Sequence, residues 1–103
     1  MAWQFAAKLS DVLAARPWLA LTVGATRLVI GVVEGGWFGV EDRCTHAGCA
    51  FSQDGQLAGS TLICDCHGSE FDVRSGAVLR GPAERALRTL PLRVAADHLE
   101  VDV

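Results

Sequence analysis

The sequence predicts an all-β fold, an antiparallel sandwich. Turn-forming clusters of Gly, Pro, Asp and Ser recur about every eight to twelve residues. Between them lie short runs rich in β-branched and aromatic residues, several of which alternate apolar with polar. The 103 residues suffice for one hydrophobic core, so a single domain spanning residues 1–103 is expected.

Trp3 to Lys8 reads as a first strand, but Phe5, Leu9, Val12, Leu13 and Arg16 also fit a helical period, so this segment stays open. Ser10 is a candidate cap for a short helical turn that Pro17 ends. Trp18–Val23 and Thr26–Val33 are β-rich runs joined across Gly24-Ala25, a hairpin signal. Gly35-Gly36 marks the next tight turn, before a strand over Trp37–Asp42. Gln53-Asp54-Gly55 and Gly59 read as turns flanking a short strand. Thr61–Cys64 and Glu70–Val73 read as two more strands, with Arg74-Ser75-Gly76 as the turn after them. Leu90, Leu92 and Val94 alternate, as do Leu99, Val101 and Val103. Repeats, low-complexity tracts and linkers are not evident.

Charge and hydropathy exclude some roles. Nine Lys and Arg against twelve Asp and Glu give a formal charge of −3. A nucleic-acid binder would need basic residues clustered on one face, so none is expected; a basic protein partner is not forbidden. Ten residues separate Arg16 from Arg27, and six separate Arg27 from Glu34. A bilayer needs about 20 apolar residues, so no spanning helix is expected. Met-Ala-Trp-Gln-Phe has no basic leader, apolar stretch or small-residue cleavage site, and the expected compartment is the cytoplasm.

The chemistry lies in four Cys and three His. All four Cys and two His fall in two short boxes, Cys44-Thr45-His46-Ala47-Gly48-Cys49 and Cys64-Asp65-Cys66-His67-Gly68-Ser69. Two disulfides would leave the His unexplained and suit a reducing cytosol poorly. Structural zinc takes tetrahedral Cys/His sets, but Cys-x-His is tighter than its usual ligand spacing. Small buried hydrophobes would not pair with His in two matched boxes. The pattern Cys-x-His, seventeen intervening residues, then Cys-x-x-His fits a [2Fe–2S] cluster of mixed ligation, one Cys and one His from each box. Two ferric ions, two sulfides and two thiolates sum to a neutral oxidised site, whereas four thiolates leave the same core doubly negative. Potentials then rise to about −150 to +300 mV, against about −400 mV for an all-Cys plant-type cluster. A ring nitrogen left free on each His would add a proton handle.

These two boxes, the second running on as Glu70-Phe71-Asp72, resemble the cluster-binding boxes of the Rieske family. The resemblance implies a small cluster-binding lobe, about residues 43–73, on a larger β base. It assigns Cys44 and Cys64 to one iron and His46 and His67 to the other. It further implies a Cys49–Cys66 disulfide, as in the branch that includes respiratory cytochrome complexes; many dioxygenase ferredoxins lack this pair. Such a bridge would contribute about 3 kcal/mol in the chain-entropy model, while a reducing cytoplasm favours two thiols. Gly48 and Gly68 would let the backbone approach the sulfides, besides serving as turn glycines. Ser69 matches a position whose hydroxyl donates to a bridging sulfide. Phe71 stands where the highest-potential members have Tyr, and the chain has no Tyr, so an intermediate potential is expected. Gly81-Pro82-Ala83 resembles the third loop, whose proline covers the cluster. Ala47 and Phe51 offer either a small docking patch or packing under the loops. His98 reads as a surface strand residue, with neither a second His nor a carboxylate at metal-ligand spacing.

By this resemblance the chain is an electron carrier, a soluble Rieske-type ferredoxin holding one [2Fe–2S] cluster. It would pass electrons from a flavoprotein reductase to a terminal, ring-hydroxylating-type oxygenase or another acceptor, docking transiently near His46 and His67. It is not expected to be an enzyme itself: oxygen chemistry needs a mononuclear iron held by two His and a carboxylate, and only His98 would remain. The alternatives are a small electron-transfer subunit related to cytochrome bc-type Rieske proteins or of another oxidoreductase, and a zinc-stabilised interaction module, which elemental analysis would separate from the iron–sulfur readings.

Overall fold

In the computed structural model, which describes residues 2–103, the strands form three antiparallel sheets. The chain runs β1 (Trp3–Lys8), α1 (Leu9–Ala14), β2 (Leu19–Val23), β3 (Thr26–Val33), β4 (Gly36–Glu41), α2 (Phe51–Asp54), β5 (Gly55–Ala58), β6 (Thr61–Cys64), β7 (Glu70–Asp72), β8 (Val78–Arg80), β9 (Leu92–Ala95) and β10 (His98–Asp102). Sheet orders are β1-β10-β9, β2-β3-β4 and β5-β6-β7-β8. Among the described residues no helix is long and apolar enough to cross a membrane.

β3 explains how the sheets share a core. Val29 and Val33 join one buried cluster, with Phe38, Val40, Phe51, Leu62 and Phe71. Leu28 and Ile30 join the other, with Val12, Leu90, Leu99 and Val101. A strand buried on both faces needs a continuous apolar run rather than alternation, and Leu28-Val29-Ile30-Gly31-Val32-Val33 is one. Gly31 sits opposite Phe38, whose ring would lie 2.7 Å from an added Cβ, so the aromatic occupies the space that a side chain would take.

The ambiguous first segment divides cleanly. Trp3–Lys8 pairs with β10, and the helix starts at Leu9, where Val12 anchors it in the core. Ser10 is not the cap: Lys8 holds that position, extended, with no side-chain hydrogen bond. Two elements were hidden in the sequence. Gln53-Asp54 is the end of α2, one helical turn in which the Ala50 carbonyl accepts from the N–H groups of Gln53 and Asp54. Gly55 follows it in an extended conformation, where an added Cβ would lie 2.6 Å from the Phe51 carbonyl oxygen, so the close approach needs glycine. β8, only three residues long, pairs with β7 across an irregular register.

β4 leads into the first box, and the second is the connection between β6 and β7. A third loop, residues 81–90, is tied back to the turn after β7 by Leu87 N–H donating to the Gly76 carbonyl at 2.9 Å. Gly76 has φ +79°, and an added Cβ would stand 2.6 Å from the Leu87 carbonyl oxygen. Gly76→Ala is therefore expected to cost at least ~2 kcal/mol, from strain and clash together. In thermal unfolding, Tm should fall by about 10 °C; a variant as stable as the parent would contradict this reading.

Candidate metal centre

The two boxes fold as copies of one loop. In the first, Cys44 N–H donates to the Cys49 carbonyl at 2.8 Å and Gly48 N–H to the Cys44 carbonyl at 2.9 Å. In the second, Cys64 N–H donates to the Ser69 carbonyl and Gly68 N–H to the Cys64 carbonyl, both at 2.9 Å. Gly48 at φ +77° and Gly68 at φ +83° take the left-handed conformation that each closure needs. The shared Cys-x-x-x-Gly spacing was the sequence signal for this symmetry. The histidines break it, one lying two residues after its Cys and the other three.

The loops sort their side chains by depth. Cys44 and Cys64 are buried, at 1% and 2% exposure, and carry free thiols. His46 and His67 are exposed, their ring centroids 4.9 Å apart and their planes perpendicular. Cys49 and Cys66 are joined in a disulfide across 17 residues, with Cα atoms 6.7 Å apart. The Cys64 sulfur lies within 4.8 Å of both disulfide sulfurs. Sulfur thus faces the protein and imidazole faces water.

Burial pushes the Cys64 thiol above its ordinary value of 9.0, against the pull of the Cys66 backbone N–H; the adjacent Cys44 thiol adds to the rise. Stability tied to that proton is complete below pH 9.0 and lost as pH climbs through the raised value. A metal must expel the proton to bind. Ser69 is buried, at 1% exposure, and its hydroxyl oxygen accepts from Ala83 N–H at 3.0 Å. Among the described residues that hydroxyl has no acceptor for its own hydrogen.

A family model described as the Rieske [2Fe-2S] domain matches residues 2–91. The chain belongs to this family. The Rieske chain is 33% identical over 101 residues to the naphthalene 1,2-dioxygenase system ferredoxin component of Pseudomonas putida, covering 98% of this chain and 95% of that protein. It is 37% identical over 76 residues to the p-cumate 2,3-dioxygenase system ferredoxin component of Pseudomonas putida, covering 74% of this chain and 64%, just under two thirds, of that protein. Its fold matches a chain in the solved complex of reduced oxygenase and oxidised ferredoxin in carbazole 1,9a-dioxygenase, with TM-score 0.83, 27% identity, and coverage of 96% and 91%. Membership sets aside the zinc module. The donor set also fits a [2Fe–2S] cluster: each box carries one buried thiol and one exposed imidazole, and the second box adds a buried hydroxyl whose hydrogen is unspent.

Other expectations divide. Phe51 is packing, not docking surface: it is 1% exposed and stacks edge-to-face on Phe71 at 5.9 Å, while Ala47 is exposed. Pro82 is exposed and shares an open cleft with Thr45 and His46, so the third loop does reach the first box. His98 begins β10 but is not free of carboxylates. Its ring nitrogens lie 3.7 Å from Asp97 and 3.4 Å from Glu100, because the β9–β10 turn and the strand's own alternation return both to it.

Sequence reasoning missed three supports. The buried Asp42 carboxylate accepts from the Ser52 N–H at 2.9 Å and the Ser52 hydroxyl at 2.5 Å, bracing the first box from both ends. Thr45 Oγ1 donates to the Arg85 carbonyl at 2.6 Å, pinning the third loop to the first. Three arginines (Arg43, Arg85 and Arg88) line a cleft with His46. The last two join residues 40 or more apart, and the Asp42–Ser52 pair spans the whole first box, so none leaves a local pattern.

The disulfide braces the loops from outside the thiol pair. Replacing both Cys49 and Cys66 by serine is expected to cost about 3 kcal/mol by releasing the loop between them. Calorimetry should show Tm falling by about 15 °C, with iron content largely kept. Iron loss as complete as on removing Cys64 would contradict this division of roles.

Proposed function

We propose that this chain is a one-electron carrier, a Rieske-type ferredoxin in which Cys44, His46, Cys64 and His67 hold one [2Fe–2S] cluster. The observation that carries the reading is the perpendicular imidazole pair, 4.9 Å apart and exposed, on the same two loops that bury the Cys44 and Cys64 thiols. The cluster-binding lobe is residues 43–73, within a single domain spanning residues 1–103, and β8 completes the lobe's sheet.

When bound, such a cluster supplies reversible one-electron storage at a potential raised by its two neutral ligands. The residues supply the rest. Cys44 and Cys64 provide the thiolates on the buried side, where little water competes. His46 and His67 reach solvent, so their rings give the electron a short exit and their outer nitrogens can carry a proton. Gly48 and Gly68 leave room for close backbone approach. Ser69, whose buried hydroxyl accepts from Ala83 N–H, would have its own hydrogen left to offer the cluster, and Pro82 in the third loop would cover its remaining side.

The chain takes electrons from a flavoprotein reductase and passes them to a terminal, ring-hydroxylating-type oxygenase. It is a carrier rather than a catalyst. Relatives named as ferredoxin components of dioxygenase systems support that role, and a cytoplasmic home belongs to the same proposal. A potentiometric titration tests the reading. It should show one electron per chain, taken up reversibly, with a midpoint inside about −150 to +300 mV and below the upper end because Phe71 offers no hydroxyl. A midpoint near −400 mV, or no reversible reduction, would overturn it.

A further inference from the structure

The exit face of this acidic chain is locally positive, on one flank only. Arg43 stands over the first box, its Nε 3.5 Å from where a Gly48 Cβ would lie. Arg85 is held beside that box by the Thr45 bond to its carbonyl. With Arg88 they line an open cleft of about 560 Å³ that includes His46. Arg88 is partly neutralised by Glu41 at 3.3 Å. Arg43 and Arg85 have no ion-pair partner among the described residues. Glu84, in the adjoining cleft, offsets one charge. The other flank is opposite in sign: exposed Asp65, two residues before His67, accepts from the Gln56 amide at 2.9 Å and has no cation within ion-pair distance among the described residues.

We propose that the His46 flank, through Arg43 and Arg85, is the docking surface for an acidic patch on a redox protein, a polarity opposite to the net charge of −3. The proposal rests on the electron-carrier reading. Carboxylates around the partner's electron port would pair with the two arginines, while Asp65 repels a partner turned the other way. Rim charges of this kind set encounter rate and orientation more than affinity.

Small redox probes of fixed charge read that polarity directly. The reduced protein is oxidised by hexacyanoferrate(III), an anion that becomes hexacyanoferrate(II) as it accepts the electron. In parallel it is oxidised by the tris(phenanthroline)cobalt(III) cation, which becomes cobalt(II). Raising ionic strength from about 10 mM to about 0.5 M should slow the anion on the order of fivefold and should not slow the cation. Arg43→Gln with Arg85→Gln should abolish the anion's advantage over the cation once both rates are compared at the variant's own measured midpoint potential. Arg16→Gln with Arg74→Gln removes equal charge, one from the base beside α1 and one from beside Gly35 at the far end of β4, and should preserve the advantage. An anion rate that rises with salt in the parent, as net charge alone demands, overturns the proposal and leaves the carrier reading standing. So does an equal effect of the two double variants. A chain that takes up no reducible cluster overturns both.

Discussion

Cys64→Ser is expected to strip the protein of its iron and acid-labile sulfide to below about a tenth of the parent's content. A serine hydroxyl is far too weak an acid to serve as the anionic ligand that the thiolate provides. Cys64 is 2% exposed and packs in the same cluster as Leu62 and Phe71, so serine nearly preserves the shape there. The buried hydroxyl costs about 1–3 kcal/mol, a loss that circular dichroism and thermal unfolding separate from cluster loss. Iron at parental levels in a folded Cys64→Ser protein would remove Cys64 from the ligand set.

His67→Cys should act on potential rather than on content. A thiolate in place of a neutral ring adds one negative charge to both redox states and disfavours the reduced one. The midpoint should drop by the order of hundreds of millivolts toward the all-thiolate value near −400 mV. His67 is exposed, so the new thiolate is solvated and the loop need not repack. Potentiometric titration decides the matter. A cluster whose midpoint matches the parent's would show that His67 does not bind it.

Much of this could be read from the chain, and what could not has a physical cause. The β3 run, the Gly24-Ala25 hairpin and β10 are written in local chemistry, and each falls where pattern places it. The boxes are legible because metal chemistry limits which residue types can occupy them. α2 was hidden because one helical turn is too short to show a period. β8 was hidden because its residues alternate weakly, Leu79 remaining 56% exposed. Phe51 shows a different limit: hydrophobicity alone does not tell a docking surface from a floor. Its place became clear only from the edge-to-face contact with Phe71. The arginine flank was invisible for the same reason as the Thr45–Arg85 bond. Arg43 and Arg85 lie far apart in sequence, and only the third loop's return brings them to one cleft.

The account stands on two neutral rings and two thiolates sharing one cluster. Pulsed electron paramagnetic resonance on the reduced protein, with histidine labelled in nitrogen-15, tests that most directly. Two strongly coupled histidine nitrogens are the expected result, with one coupling lost in His67→Cys. A paramagnetic cluster with no histidine coupling, or no paramagnetic signal on reduction, would contradict it.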